Sequence, residues 1–296
     1  MISEELPLQR SCGATAAYYR MLEIDPNFQT KQRDLELFTA QAKMLGGARS
    51  RINTVKIPVI VHVIYNKPVE NISDAQVKSQ IKVLNKDFRK KNTDISKIPA
   101  VWKPLAADAK IEFHLTKDYP AIQRVQTAKT RFGFNDSVKF AAEGGADAIK
   151  PDKILNIWVC NLPGLLGYAQ FPGGIAETDG VVVNYKAFGT SGTVQTPFNL
   201  GRTATHEVGH WLNLRHIWGD TQDCSGTDHV DDTPKALEAN YSTPTFPHVT
   251  CNNGPNGDMF VNYMDYVDDK AMFMFTQGQV ERMAATFLGP RSGFVP

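Results

Sequence analysis

One stretch constrains this chain more than any other: His206-Glu207-Val208-Gly209-His210-Trp211-Leu212-Asn213-Leu214-Arg215-His216. Residues four apart share one face of a helix, so the imidazoles of His206 and His210 project side by side. That spacing lets both grip one zinc ion. Glu207, beside the first histidine, is placed to act as general base on an attacking water. His216 supplies a third ligand if the chain doubles back, and three protein ligands leave the fourth tetrahedral position open, as catalytic zinc requires. Asn213 sits where that turn must fall. Helices usually close there on a left-handed Gly, and Asn is the next most tolerant residue. A bare HExxH run also suits an ordinary amphipathic helix. Helix, turn and third histidine together weigh against that reading.

Length and composition set broad limits. The 296 residues suffice for one or two domains with a sizeable core. A formal net charge of +1 implies no nucleic-acid partner. No apolar run is long enough to span a membrane. Met1-Ile2-Ser3-Glu4-Glu5 is polar and acidic, so no signal peptide is visible. Cys224 and Cys251 flank a stretch rich in Asp, Gly, Pro, Thr and Asn that lacks a core of its own. A disulfide there would add about 3 kcal/mol; two free thiols in a reducing compartment are the alternative. Cys160, in the apolar run Ile154–Cys160, reads as a buried, inert thiol.

Downstream of the histidines lies Asn262-Tyr263-Met264-Asp265-Tyr266. HExxHxx(G/N)xxH followed by a Met-turn resembles the metzincin clan of metallopeptidases. The fuller strings HEVGHWLNLRHIWGD and NYMDY resemble the pappalysin family and its ulilysin-like branch, from Arg10 to about Phe287. Asn213 departs from the clan but not from that family. The resemblance implies an α+β fold. A twisted, mostly parallel sheet and two long helices form an upper lobe, and an irregular lower lobe ends in a C-terminal helix. It implies zinc on His206, His210 and His216, with Glu207 polarising water. Met264 would form the apolar floor, and Tyr266 would stabilise the oxyanion. It implies the Cys224–Cys251 disulfide, and calcium in the oxygen-rich loop of Asp228, Asp231, Asp232 and Thr233. Asp269 would line the S1′ pocket and favour Lys or Arg after the scissile bond; an ion pair with Lys270 or Arg282 is the alternative. The expected protein is a secreted, monomeric zinc endopeptidase acting on peptides or proteins. The rival classes are a zinc-stabilised module without chemistry and a metal-dependent hydrolase of small molecules.

Arg10-Ser11-Cys12-Gly13 adds a regulatory expectation. A thiolate is a strong zinc ligand, so Cys12 could occupy the open position, like the cysteine switch of latent metzincins. Arg10 could anchor the segment on an acid in the cleft. A helical run over Lys31–Leu45 ends at Gly46-Gly47-Ala48-Arg49-Ser50-Arg51, which reads as an exposed linker. Residues 1–50 are therefore expected to form an inhibitory pro-segment and 51–296 the catalytic domain, with maturation between Ser50 and Arg51. The segment Gly167–Gly174 is expected to form the cleft rim that binds substrate by strand addition, and Thr203 or Thr205 to cap the zinc helix.

Overall fold

The computed structural model describes residues 6–45 and 47–295, apart from the side chain of Arg51. The readings placed on residues 1–5, on Gly46 and on that side chain lie outside the described residues. Two helices open the chain, α1 (Ala14–Ile24) and α2 (Phe28–Met44). The rest of the chain runs through β1 (Val55–Tyr65), α3 (Asp74–Asp87), β2 (Ile111–Leu115), β3 (Ile122–Gln126), β4 (Leu155–Cys160), β5 (Gly167–Ala169), β6 (Val181–Asn184) and α4 (Arg202–Trp211). The two-residue strands β7 (Tyr241–Ser242) and β8 (Tyr266–Val267) and the helix α5 (Gln277–Leu288) complete it.

The sheet runs β2-β1-β4-β6-β5, with β3 sharing with β2 one edge of β1. Every pairing is parallel except β5 against β6. Parallel sheets need both faces covered, which is why β1 and β4 read as near-continuous apolar runs. One face carries α3 and α4 over Val59, Val61, Leu155, Ile157 and Val183. The opposite face packs Trp158, Tyr168 and Val182 against Phe132 and Val138 from the long connection after β3.

Ser73 caps α3 by accepting the Gln76 backbone N–H at 3.2 Å. The Gln76 side chain does not return to complete a capping box; it donates to the carbonyls of Tyr185 and Phe188, pinning the loop after β6. His62 is buried and bonded to Asn156, and His114 is exposed, so neither joins a site. Beyond α4 the chain is irregular as far as Thr276, which caps α5 in a full capping box with Gln279. The Cys224–Cys251 disulfide closes that region as expected, and Cys160 is a buried free thiol.

Two expectations need correcting. Gly201, in a left-handed conformation, is the N-cap of α4; Thr203 and Thr205 lie inside the helix, where Thr205 donates to Asp87 at 2.7 Å. The linker is not uniformly exposed either. Ala48 is buried, and the Arg49 N–H donates to Glu281 of α5 at 3.0 Å, while Ser50 is exposed.

Candidate active site

The motif folds locally for the reasons its sequence suggests. α4 holds His206, Glu207 and His210, then stops as Asn213 takes φ 70° and Leu214 N–H caps the Gly209 carbonyl at 2.9 Å. The reversed chain brings His216 back. The three Nε2 atoms form a triangle with sides of 3.1, 3.1 and 3.3 Å. Four donors set tetrahedrally about 2.0 Å from zinc would be about 3.3 Å apart, so the triangle has the size of such a coordination face.

Protonation makes the case stronger. The Nδ1 atoms of His206 and His210 face the carbonyls of Tyr263 at 2.7 Å and Leu214 at 2.8 Å. A carbonyl accepts only, so each Nδ1 must carry the proton. His216 Nδ1 faces the Asp220 carboxylate at 2.6 Å. Burial holds His206 and His210 well below the usual histidine range, keeping both neutral. The Nε2 lone pairs of His206 and His210 therefore point at each other and at the Nε2 of His216, with no proton of their own between them. A cation satisfies all three at once, and the residues present fit zinc.

Around the triangle, buried Met264 presses its sulfur against α4 at Gly209, where a side chain of any size would collide with it. Tyr266 lies beside the ligands, its ring centroid 4.9 Å from that of His216. Glu207 is buried, which pushes its carboxyl up to about 8. It packs against β5 so closely that a Cβ at Gly167 would sit 2.9 Å from the Glu207 side chain.

The amino-terminal segment fills the cleft. Leu166 N–H donates to the Ser11 carbonyl and Gly13 N–H to the Gly167 carbonyl, both at 2.9 Å. β5 thus acts as a rim strand, running parallel to the segment. Cys12 Sγ clusters with the three Nε2 atoms, all within 4.8 Å of one another, and lies 3.4 Å from Glu207 Oε2. Tyr266 donates to the Cys12 carbonyl at 3.4 Å. Arg10 reaches the other way. Its guanidinium donates to Asp269 at 2.6 Å, to Thr203 Oγ1 at 3.2 Å and to the Val267 carbonyl at 3.1 Å, above the Phe198 ring. Asp269 is fully buried, and its second oxygen accepts the Leu200 N–H at 2.7 Å. Its partner is thus neither Lys270 nor Arg282; Lys270 lies near Asp268 and Arg282 pairs with Glu36 of α2.

The acidic loop is arranged differently. Asp228 accepts from Thr233 Oγ1 at 2.7 Å and from the Val230 N–H at 3.1 Å. Asp231 pairs with Lys43 of α2. Asp232 takes Thr276 Oγ1 at 2.6 Å and the Gly278 N–H at 2.9 Å, at the start of α5. The four calcium candidates do not converge on one point.

Three supporting residues escaped the sequence reading. Asp220 holds His216, and its place four residues after that histidine is the signal that could have found it. Tyr263 holds His206 through a backbone carbonyl, which no side-chain pattern encodes. Arg202 ties α4 to the Met-turn through the Tyr263 hydroxyl at 2.6 Å and to Asp94 at 3.0 Å.

A parallel sheet over a histidine-bearing helix, with a methionine turn beneath it, defines a metzincin-type metallopeptidase. The profile of the Peptidase_M43 family, described as pregnancy-associated plasma protein-A, matches residues 144–288. An extracellular metalloprotease of Pyricularia oryzae is 31% identical over 268 residues, 86% of this chain and 82% of that protein. Among solved structures, Tannerella forsythia mature mirolysin in complex with a cleaved peptide is 48% identical, with a TM-score of 0.81 over 82% of this chain and 96% of that one. A mutant of Tannerella forsythia promirolysin is 43% identical, with a TM-score of 0.88 over 97% of each chain. The chain belongs to the pappalysin-like Peptidase_M43 family and is a metalloendopeptidase.

Proposed function

We propose that His206, His210 and His216 hold the catalytic zinc and that the segment before Arg51 keeps the enzyme latent by a cysteine switch through Cys12. Bound there, zinc supplies the Lewis acid that polarises the scissile carbonyl. Glu207 takes the proton of the attacking water and returns it to the leaving amine. The Tyr266 hydroxyl stabilises the developing oxyanion. Substrate main chain pairs with the edge of β5 by strand addition. Asp269 selects Lys or Arg as the first residue after the cut.

The observation that carries this reading is the pairing of Cys12 in the histidine cluster with Arg10 on Asp269. A buried carboxylate needs a partner, and in the latent chain the inhibitor's own arginine provides it. The same preference directs cleavage to the Ser50–Arg51 bond. A division near residue 50 accords with mature mirolysin matching 82% of this chain and promirolysin 97%. We read the mature form as secreted, as the extracellular relatives suggest, and as a monomer. Calcium is assigned to the 228–233 loop on the family resemblance, with Asp228 and Thr233 as the two candidates that meet; no catalytic step depends on it.

The test is incubation of the full chain with zinc, followed by intact mass and amino-terminal sequencing, beside Glu207→Ala. The expected result is a new terminus at Arg51 only where Glu207 is present. An active product that retains Cys12 would sink the cysteine switch, and a cut after a neutral residue with no basic residue following would sink the Asp269 assignment.

A further inference from the structure

The amino-terminal segment sets two arginines, not one, against carboxylates of the catalytic part. Arg10 precedes Cys12 and reaches Asp269. Arg20, on α1 beyond Cys12, pairs with Asp136. Asp136 is not an ordinary surface acid. It is buried, holds a left-handed φ of 63°, and has one oxygen 2.7 Å from the ammonium of Lys139. Lys139 is itself buried, donates to the Thr178 carbonyl at 2.6 Å and sits 5.0 Å above the Tyr168 ring. Tyr168 belongs to the rim strand β5. Its hydroxyl is buried without a hydrogen-bond partner among the described residues.

These contacts place Asp136 beside the rim strand, where α1 crosses it beyond Cys12. Gly13, one residue past Cys12, lies against Tyr168, Leu165 and Phe134; a Cβ there would be 3.2, 3.4 and 3.5 Å from them. Leu165 and Phe134 also wall an open cavity of about 830 Å³ beside the rim.

We propose that Asp136 is a second cation-binding subsite, filled by Arg20 in the latent chain and by a Lys or Arg upstream of the scissile bond in a substrate. This rests on the cleavage site and the Asp269 pocket proposed above. At that cleavage site the sequence reads Ala48-Arg49-Ser50-Arg51, with a basic residue on both sides of Ser50. Lys139 does not make the subsite redundant. Lys139 sits on one oxygen of Asp136, Oδ1, and leaves Oδ2 to the guanidinium of Arg20.

The experiment uses the mature enzyme and peptides built on Ala-Arg-Ser-Arg. One pair exchanges the upstream Arg for Ala; the other exchanges the downstream Arg for Ala. On the wild type, the upstream exchange should lower kcat/KM about tenfold. Asp136→Asn, which keeps a residue tolerant of the left-handed conformation, should bring that ratio to about one. Lys139→Met should raise it. A wild-type ratio near one overturns the inference even if neither variant folds, and so does a ratio that survives in folded Asp136→Asn. The downstream pair reports separately: if that exchange costs nothing, the Asp269 reading fails, while the upstream ratio still decides on Asp136.

Discussion

Two regions of this protein read as metal sites in its sequence, and they fold in opposite ways. In the histidine centre, each imidazole has its Nδ1 committed to a partner outside the cluster, so the three Nε2 atoms are turned toward one another. In the 228–233 loop each carboxylate finds its own donor: a hydroxyl for Asp228, Lys43 for Asp231, the start of α5 for Asp232. The first arrangement is costly without a cation, because aligned lone pairs repel and burial denies them water. The second is already satisfied piece by piece. Convergence, rather than the number of suitable donors, separates a site that demands a metal from one that tolerates it.

The contrast can be broken by removing parts of each site. The largest effect is expected from Glu207→Ala, which should lower kcat/KM of the mature enzyme by roughly 10²–10⁴-fold while zinc content, read by atomic absorption, is unchanged. Asp269→Asn comes next. It should reduce the preference for Arg over Ala after the bond by about a hundredfold, measured with paired peptides, since a desolvated charge pair is worth several kcal/mol. A single-site ion at a hundred times its Kd adds about 2.7 kcal/mol, so stripping zinc should lower the melting temperature by several degrees. Stripping calcium from the 228–233 loop should lower it less, since Asp228, Asp231 and Asp232 each already hold another donor; a calcium shift as large as the zinc shift would erase the distinction drawn here.

The smallest effect is one of pH. Burial pushes the Asp228 carboxyl up to about 7, so between about 4 and 7 the folded chain keeps a proton that the unfolded chain releases. Stability of the calcium-free protein should therefore fall as pH rises through that window. Calcium, or Asp228→Asn, should flatten the curve. A wild-type melting temperature as flat as the variant's, without calcium, would remove Asp228 from the argument.

Much of the site was legible because its signals are local. His206, Glu207, His210, Asn213 and His216 lie within eleven residues, and helix periodicity plus one tolerant turn residue set their relative positions. The apolar runs of β1 and β4 announced a sheet covered on both faces in the same way. Capping was less legible. Thr203 and Thr205 have the right chemistry for an N-cap, yet Gly201 takes the role because the chain enters α4 through a left-handed residue. α1 was missed, though its Ala17 and Met21 are buried: it spans only eleven residues, and Tyr168 and Phe171, which help bury it, lie far away in sequence.

By itself the sequence determined the metal-binding chemistry, the order of elements around it and the presence near its start of Cys12, a thiol with the chemistry of a zinc ligand. Local spacing and residue type carry all three. Tertiary structure decided which acids meet which bases. Arg10 and Asp269 are 259 residues apart, and Arg20 and Asp136 are joined only when α1 lies across the rim. Each carboxylate could have paired with several cations in the unfolded chain's reach. Burial made the choice, because a charge removed from water must be compensated by whichever neighbour the fold brings within bonding distance.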